Sequence, residues 1–71
     1  MSLELELADI KKRFEDALTS VKEFTDAVEN EVDVFERIST ARKLGKAAHS
    51  ALVYALRICH VEEKIAEEKA P

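Results

Sequence analysis

The sequence has few of the residues that interrupt helices or build irregular structure. Its 71 residues include one glycine, one proline, one cysteine, one tyrosine and no tryptophan. Because glycine and proline mark turns, so low a content excludes a loop-rich or low-complexity chain. A single cysteine excludes an internal disulfide and favours a reducing compartment, so we expect a cytoplasmic protein. The length permits one domain, residues 1–71, whose core is marginal in a monomer.

Long apolar runs are absent too. The most apolar stretch is residues 47–61, in which eleven of fifteen residues are apolar. A membrane span takes about 20 apolar residues, and this stretch is shorter and contains His49, Ser50 and Arg57. The sequence therefore predicts no membrane span.

Acidic residues are missing from the middle of the chain. Residues 1–36 carry eleven acidic and four basic side chains, residues 37–61 carry five basic and no acidic ones, and the net charge is −4. This segregation argues against nucleic-acid binding and favours packing of unlike segments, within a chain or between chains.

The N-terminal half carries apolar residues at alternating steps of four and three. They are Leu3, Leu7, Ile10, Phe14, Ala17, Val21, Phe24 and Val28, called the α1 seam below. After Glu31 the same register resumes at Phe35 and Ile38. Such a heptad spacing predicts a long helix that packs against other helices, and the fold class is all-α.

Arg42 and Lys43 followed by Gly45 resemble a helix C-terminus, with bases in the last turn and a glycine cap. We therefore expect a helical hairpin with a long helix over about 3–43 and a second helix over about 47–69. Capping-box patterns at Ser20 and Asp33 allow earlier breaks. The second would place a turn near Asn30, and breaks near Ser20 and Gly45 would instead give a compact three-helix bundle.

A first helix of that length overhangs the second and leaves part of its apolar seam uncovered. A second chain would cover it, so we expect a homo-oligomeric bundle, with a dimer favoured. The predicted self-association residues are Leu3, Leu7, Ile10, Phe14, Val21 and Phe24.

The helix over residues 47–61 has two apolar stripes, and two stripes imply partners on two sides. The first stripe is Ala47, Ala51, Tyr54, Ile58, Val61 and Ile65. The second stripe is Leu52, Leu56, Cys59 and Ala66. This pattern predicts a non-enzymatic interaction module, an adaptor, chaperone or inhibitor, that binds a partner protein through Leu52, Tyr54, Leu56 and Arg57.

Two alternative functions depend on polar residues. His49, Cys59, His60 and Glu63 offer metal-binding side chains, although no pattern among them matches a metal site, and a metal- or cofactor-binding bundle is the first alternative. The second is an acidic mimic of nucleic acid. Its residues would be Asp26, Glu29, Glu31, Asp33 and Glu36. We predict no enzymatic activity, no cofactor and no metal.

Overall fold

The computed structural model describes residues 2–70 as two helices, α1 (Leu3–Asn30) and α2 (Val34–Lys69), that pack against each other. The predicted helical hairpin is confirmed. The molecule measures 58 × 16 × 14 Å, so it is a rod two helices wide. Neither helix in the described part of the chain has an apolar stretch sufficient to cross a membrane.

Helix α1 begins and ends with local hydrogen bonds that the sequence supplies. The Ser2 hydroxyl oxygen accepts a hydrogen bond from the Leu5 amide at 3.1 Å, and Glu4 and Glu6 lie in the positively polarised first turn. At the other end the Glu31 amide donates to the Ala27 carbonyl at 3.0 Å. The helix therefore ends at Asn30, one residue before its cap.

The turn between the helices contains only residues 31–33. The Asp33 carboxylate accepts a hydrogen bond from the Phe35 amide at 2.8 Å and so caps α2. The Glu31 carboxylate accepts from the Asp33 amide at 3.0 Å, and the Glu31 carbonyl accepts two hydrogen bonds from the Arg37 guanidinium. Side chains at both ends of the turn thus satisfy groups that the two helix ends leave unpaired.

The predicted helix boundaries, 3–43 and 47–69, are wrong. Gly45 lies inside α2 and Ser20 lies inside α1. The alternative prediction, a compact three-helix bundle with breaks near these two residues, is therefore wrong too. Gly45 has no positive φ, so it does not form a left-handed cap. The capping pattern at Asp33 marked the true turn. The prediction passed over it because Phe35 and Ile38 continue the register of the α1 seam, yet both are exposed.

The α1 seam and the first stripe of α2 form the contact between the helices. Every residue of both sets is buried or half-buried, as the heptad spacing predicted. Among residues 2–70 three side chains are buried: Ile10, Ala51 and Val61, with 3%, 7% and 4% exposure. Ala51 lies at the middle of α2, and Ile10 and Val61 lie nearer the chain ends. The core is therefore small and does not reach the turn.

Candidate functional site

A second apolar row follows α2 on its solvent side. Each of its central members comes one residue after a residue that faces α1, so it lies about 100° further round the helix. We call this row the outer seam. It consists of Ile38, Ala41, Gly45, Ala48, Leu52, Ala55, Cys59 and, beyond Glu62, Ala66.

The outer seam is open to solvent. Leu52 is 58% exposed and Ile38 is 46% exposed, and the neighbouring Leu56 is 63% exposed. Of the eight seam residues only Ala55 is half-buried; the other seven are exposed. Isolated exposed apolar residues are ordinary on a protein surface, but a contiguous row at helix-packing spacing is typical of a surface that binds another helix.

Nothing within its own chain explains why residue 45 of the outer seam is a glycine. A Cβ atom built on it would meet nothing within 4 Å. A glycine inside a helix costs roughly 0.5–1 kcal/mol relative to alanine, and it commonly marks a place where another backbone comes close. The side chains of the seam are therefore smallest around Gly45, between Ala41 and Ala48.

The exposed charges are divided along α2. Between Arg37 and Val61 the charged residues are all basic: Arg37, Arg42, Lys43, Lys46 and Arg57. After Val61 there are four acids, Glu62, Glu63, Glu67 and Glu68, and two bases, Lys64 and Lys69. The helix thus has a basic portion followed by one that is acidic on balance.

The tip of the hairpin forms a separate apolar patch. The side chains of Glu31, Asp33 and Arg37 hold the turn, and the apolar residues between them point outward. Val32, Val34 and Phe35 are 88%, 61% and 82% exposed. This patch is small and lies at one end of the rod.

The four predicted partner-binding residues do not share one surface. Leu52 and Leu56 belong to or adjoin the outer seam. Arg57 is exposed but lies about 100–140° round the helix from both of them. Tyr54 is half-buried on the face of α2 that packs against α1.

Arg13 joins the two helices on their polar side. The Tyr54 hydroxyl is the largest influence that raises the pKa of Arg13, followed by the Asp9 carboxylate. The Arg13 Nε also donates to Asp9 at 3.1 Å, the one salt bridge within the described residues, with both side chains about 60% exposed. The Arg13–Asp9 pair is exposed, so solvent screens it and it contributes little to the stability of the fold.

The predicted self-association residues are already used within one chain. Ile10 is buried, and Leu3, Leu7, Phe14, Val21 and Phe24 are half-buried on the face towards α2. The overhang that suggested a second chain on this face does not exist, because the turn lies at residues 31–33. Self-association through these residues stays a prediction, but the overhang of α1 no longer supports it.

The metal-binding side chains do not converge. Within the described range no three His, Cys, Asp or Glu side chains are placed to hold an ion. Cys59 is a free, exposed thiol in the outer seam. The metal-site alternative therefore gains no geometric support.

The acidic tract is divided between the end of α1, the turn and the start of α2. Asp33 and Glu31 are engaged in capping and in the turn, as described above. Asp26, Glu29 and Glu36 are exposed. Two of the five acids thus have structural roles, and the acidic mimic of nucleic acid stays an untested alternative.

Comparisons with protein-family models, with curated proteins and with solved structures find no match to this chain.

Several residues of the outer seam escaped the sequence prediction. Gly45 was assigned to a turn and Ile38 to the register of α1, although the spacing of three and four from Ile38 to Cys59 is legible in the sequence. With the turn at residues 31–33, Ile38 and Gly45 become part of the outer row of α2.

Proposed function

We propose that this protein is a non-enzymatic protein–protein interaction module, a small helical adaptor, chaperone or inhibitor, whose outer seam binds another helix. One observation carries the proposal. A row of apolar and small residues at helix-packing spacing lies exposed along α2, although the hairpin is fully formed.

The energetics support such a role. Fully burying a leucine side chain is worth about 1.5–3 kcal/mol, so Leu52 and Leu56 together would supply much of the affinity of a modest complex. The small residues on either side of them allow a partner helix to come close. The charged borders of the seam would set the orientation of the partner, since complementary charges act mainly on specificity and encounter.

Self-association is part of this proposal, with a homodimer as the favoured form. A chain of this size buries too little apolar surface for more than marginal stability, and oligomerisation is a common remedy. The free Cys59 thiol fits action in the reducing cytoplasm.

Site-specific photo-crosslinking tests the proposal. A photoreactive benzoyl-phenylalanine replaces Leu52 in one variant and Lys12, an exposed residue of α1, in a control. Each variant is irradiated alone and in a lysate of the organism that encodes the protein. We expect protein adducts, to the chain itself or to another protein, from position 52 and few from position 12. Equal yields at the two positions, or none at position 52, would refute the outer seam as a binding surface.

A further inference from the structure

We infer that the outer seam binds a second copy of this chain, with the two α2 helices antiparallel about a two-fold axis at Leu52. This inference rests on the proposed function and names its partner. A two-fold interface uses the same surface patch on both chains, so the patch has to be complementary to itself when reversed. The outer seam meets that condition in its shape and in its charge.

The shape of the seam is complementary about Leu52. The seam runs from Ile38 to Ala66, and Leu52 is its midpoint. Reversal about Leu52 places Ile38 opposite Ala66 of a second copy, and it places Gly45 opposite the thiol position, Cys59. At these two levels a larger side chain meets a smaller one, and at the axis Leu52 meets Leu52 of the second copy.

The charges are complementary about the same point. Reversal places Arg42 at the level of Glu62, next to Glu63, and Arg37 at the level of Glu67. Arg42, Glu62 and Glu63 are exposed in the hairpin, whereas the Arg37 guanidinium already binds the Glu31 carbonyl. Glu36 and Glu68 form one like-charged level at the ends of the interface, next to Arg37. A parallel arrangement would instead place the basic portions of both helices side by side, which is unfavourable.

The exposed area also calls for a partner. The chain exposes 5570 Å². A compact monomer of 8.0 kDa is expected to expose about 4,500 Å². The elongated 58 × 16 × 14 Å shape accounts for part of this excess. The excess of roughly 1,000 Å² is comparable with the ~800 Å² that each partner buries in a stable interface of standard size.

Gly45 explains why the seam suits a close neighbour. Its own chain leaves the space next to it empty. Within the hairpin this glycine lowers the stability of α2 and makes no contact in return. A second helix packed beside Gly45 would gain close backbone contact.

Disulfide trapping tests the orientation and the register. In an antiparallel dimer about Leu52 the two native Cys59 residues lie about 21 Å apart along the helix axes, too far for a disulfide. The variant Leu52→Cys in a Cys59→Ser background places two thiols at the axis. Mild oxidation, in which two thiols give two electrons and two protons to the oxidant, should trap that variant as a dimer. The native chain should stay reduced, and so should the control Lys12→Cys with Cys59→Ser.

The variant Gly45→Cys, which keeps Cys59, gives a second readout of the same register. Its two cysteines should form two reciprocal disulfides per dimer. Rapid trapping of the native chain through Cys59 would show a parallel pair and overturn the inference, as would failure of both engineered variants to trap.

Light scattering tests the interface without covalent chemistry. The native chain should have twice the mass of the 8.0-kDa monomer. The substitution Gly45→Leu suits the isolated hairpin, because its position is open, but it would block the close approach. We expect Gly45→Leu to stay helical by circular dichroism while its dimer dissociation constant rises at least about tenfold, the effect of losing a central contact. A native monomer, or a Gly45→Leu dimer of unchanged affinity, would overturn the inference.

The outcomes also separate this inference from the proposed function. A native monomer whose position 52 still crosslinks to another protein would refute the second copy and leave the interaction module standing. A dimer unaffected by Gly45→Leu, together with no crosslinking at position 52, would refute both.

Discussion

The guanidinium of Arg37 donates two hydrogen bonds to the main-chain carbonyl oxygen of Glu31, at 3.1 Å from Nε and 2.6 Å from Nη2. The donor lies in the first turns of α2 and the acceptor is the residue that caps α1. A single side chain thus connects the two helices across the turn. It takes the place that a glycine cap would otherwise fill.

Replacing Arg37 should loosen the turn. Arg37→Ala removes both hydrogen bonds and should lower the free energy of unfolding by about 0.5–1.5 kcal/mol, at the modest end because the site is exposed. Arg37→Lys keeps the charge but lacks the planar pair of donors, so it should recover only part of the loss. Urea denaturation followed by circular dichroism measures both. Lys12→Ala is the matched control, and an equal loss in that variant would show that charge alone matters.

Asp33 should stabilise the start of α2 through its carboxylate. Asp33→Ala removes the acceptor for the Phe35 amide and should cost about 1 kcal/mol, whereas Asp33→Asn keeps an acceptor and should cost much less. Thermal denaturation compares the two variants with Asp16→Ala, an exposed acid within α1. If the asparagine variant were as unstable as the alanine variant, the capping role would be excluded.

Ile10 should contribute more to stability than any other apolar residue of α1. It is 3% exposed, whereas Leu5 on the same helix is 66% exposed. Ile10→Ala should therefore cost about 2–4 kcal/mol, a large share of the stability of so small a chain. Leu5→Ala should change it by about 0.5 kcal/mol or less. The denaturation midpoints of the two variants measure this difference. Equal losses in both variants would show that apolar residues contribute equally along α1.

Amide hydrogen exchange should show that local stability varies along α1. Amides near Ile10 should exchange slowly, and those near Val28 should exchange faster, because local stability follows the burial of apolar contacts. The comparison within α1 avoids α2, which the proposed dimer would protect. Protection that instead increases towards the turn would contradict the burial pattern.

The sequence predicted the contacts between the helices better than their ends. The spacing of the α1 seam and of the first stripe, from Ala47 to Ile65, placed both inner faces correctly, because the heptad pattern depends on many residues. The turn depends on a few local hydrogen bonds. Glu31 and Asp33 have extended backbone, with φ of −78° and −73°, which any residue type adopts, so no glycine or proline marks the turn.

The candidate surface was visible only in part for the same reason. Leu52, Leu56 and Cys59 were recognised as a second apolar stripe, and all three are exposed. Tyr54 is half-buried on the inner face of α2. Its residue type does not distinguish such a position from an interface, because tyrosine is frequent in both. Ile38 and Gly45 could join the stripe only once the turn had been moved from residue 45 to residues 31–33.

The position of the small core has a consequence for the order of folding. Contacts next to the turn close short loops and cost little chain entropy, so they can form early. The burial of Ile10 against α2 closes a loop of about forty residues, so we expect it to form later. Interactions that form after the transition state govern how fast a protein unfolds more than how fast it folds. We therefore expect the lifetime of the folded hairpin to depend most on its open end, where Ile10 and Val61 are buried.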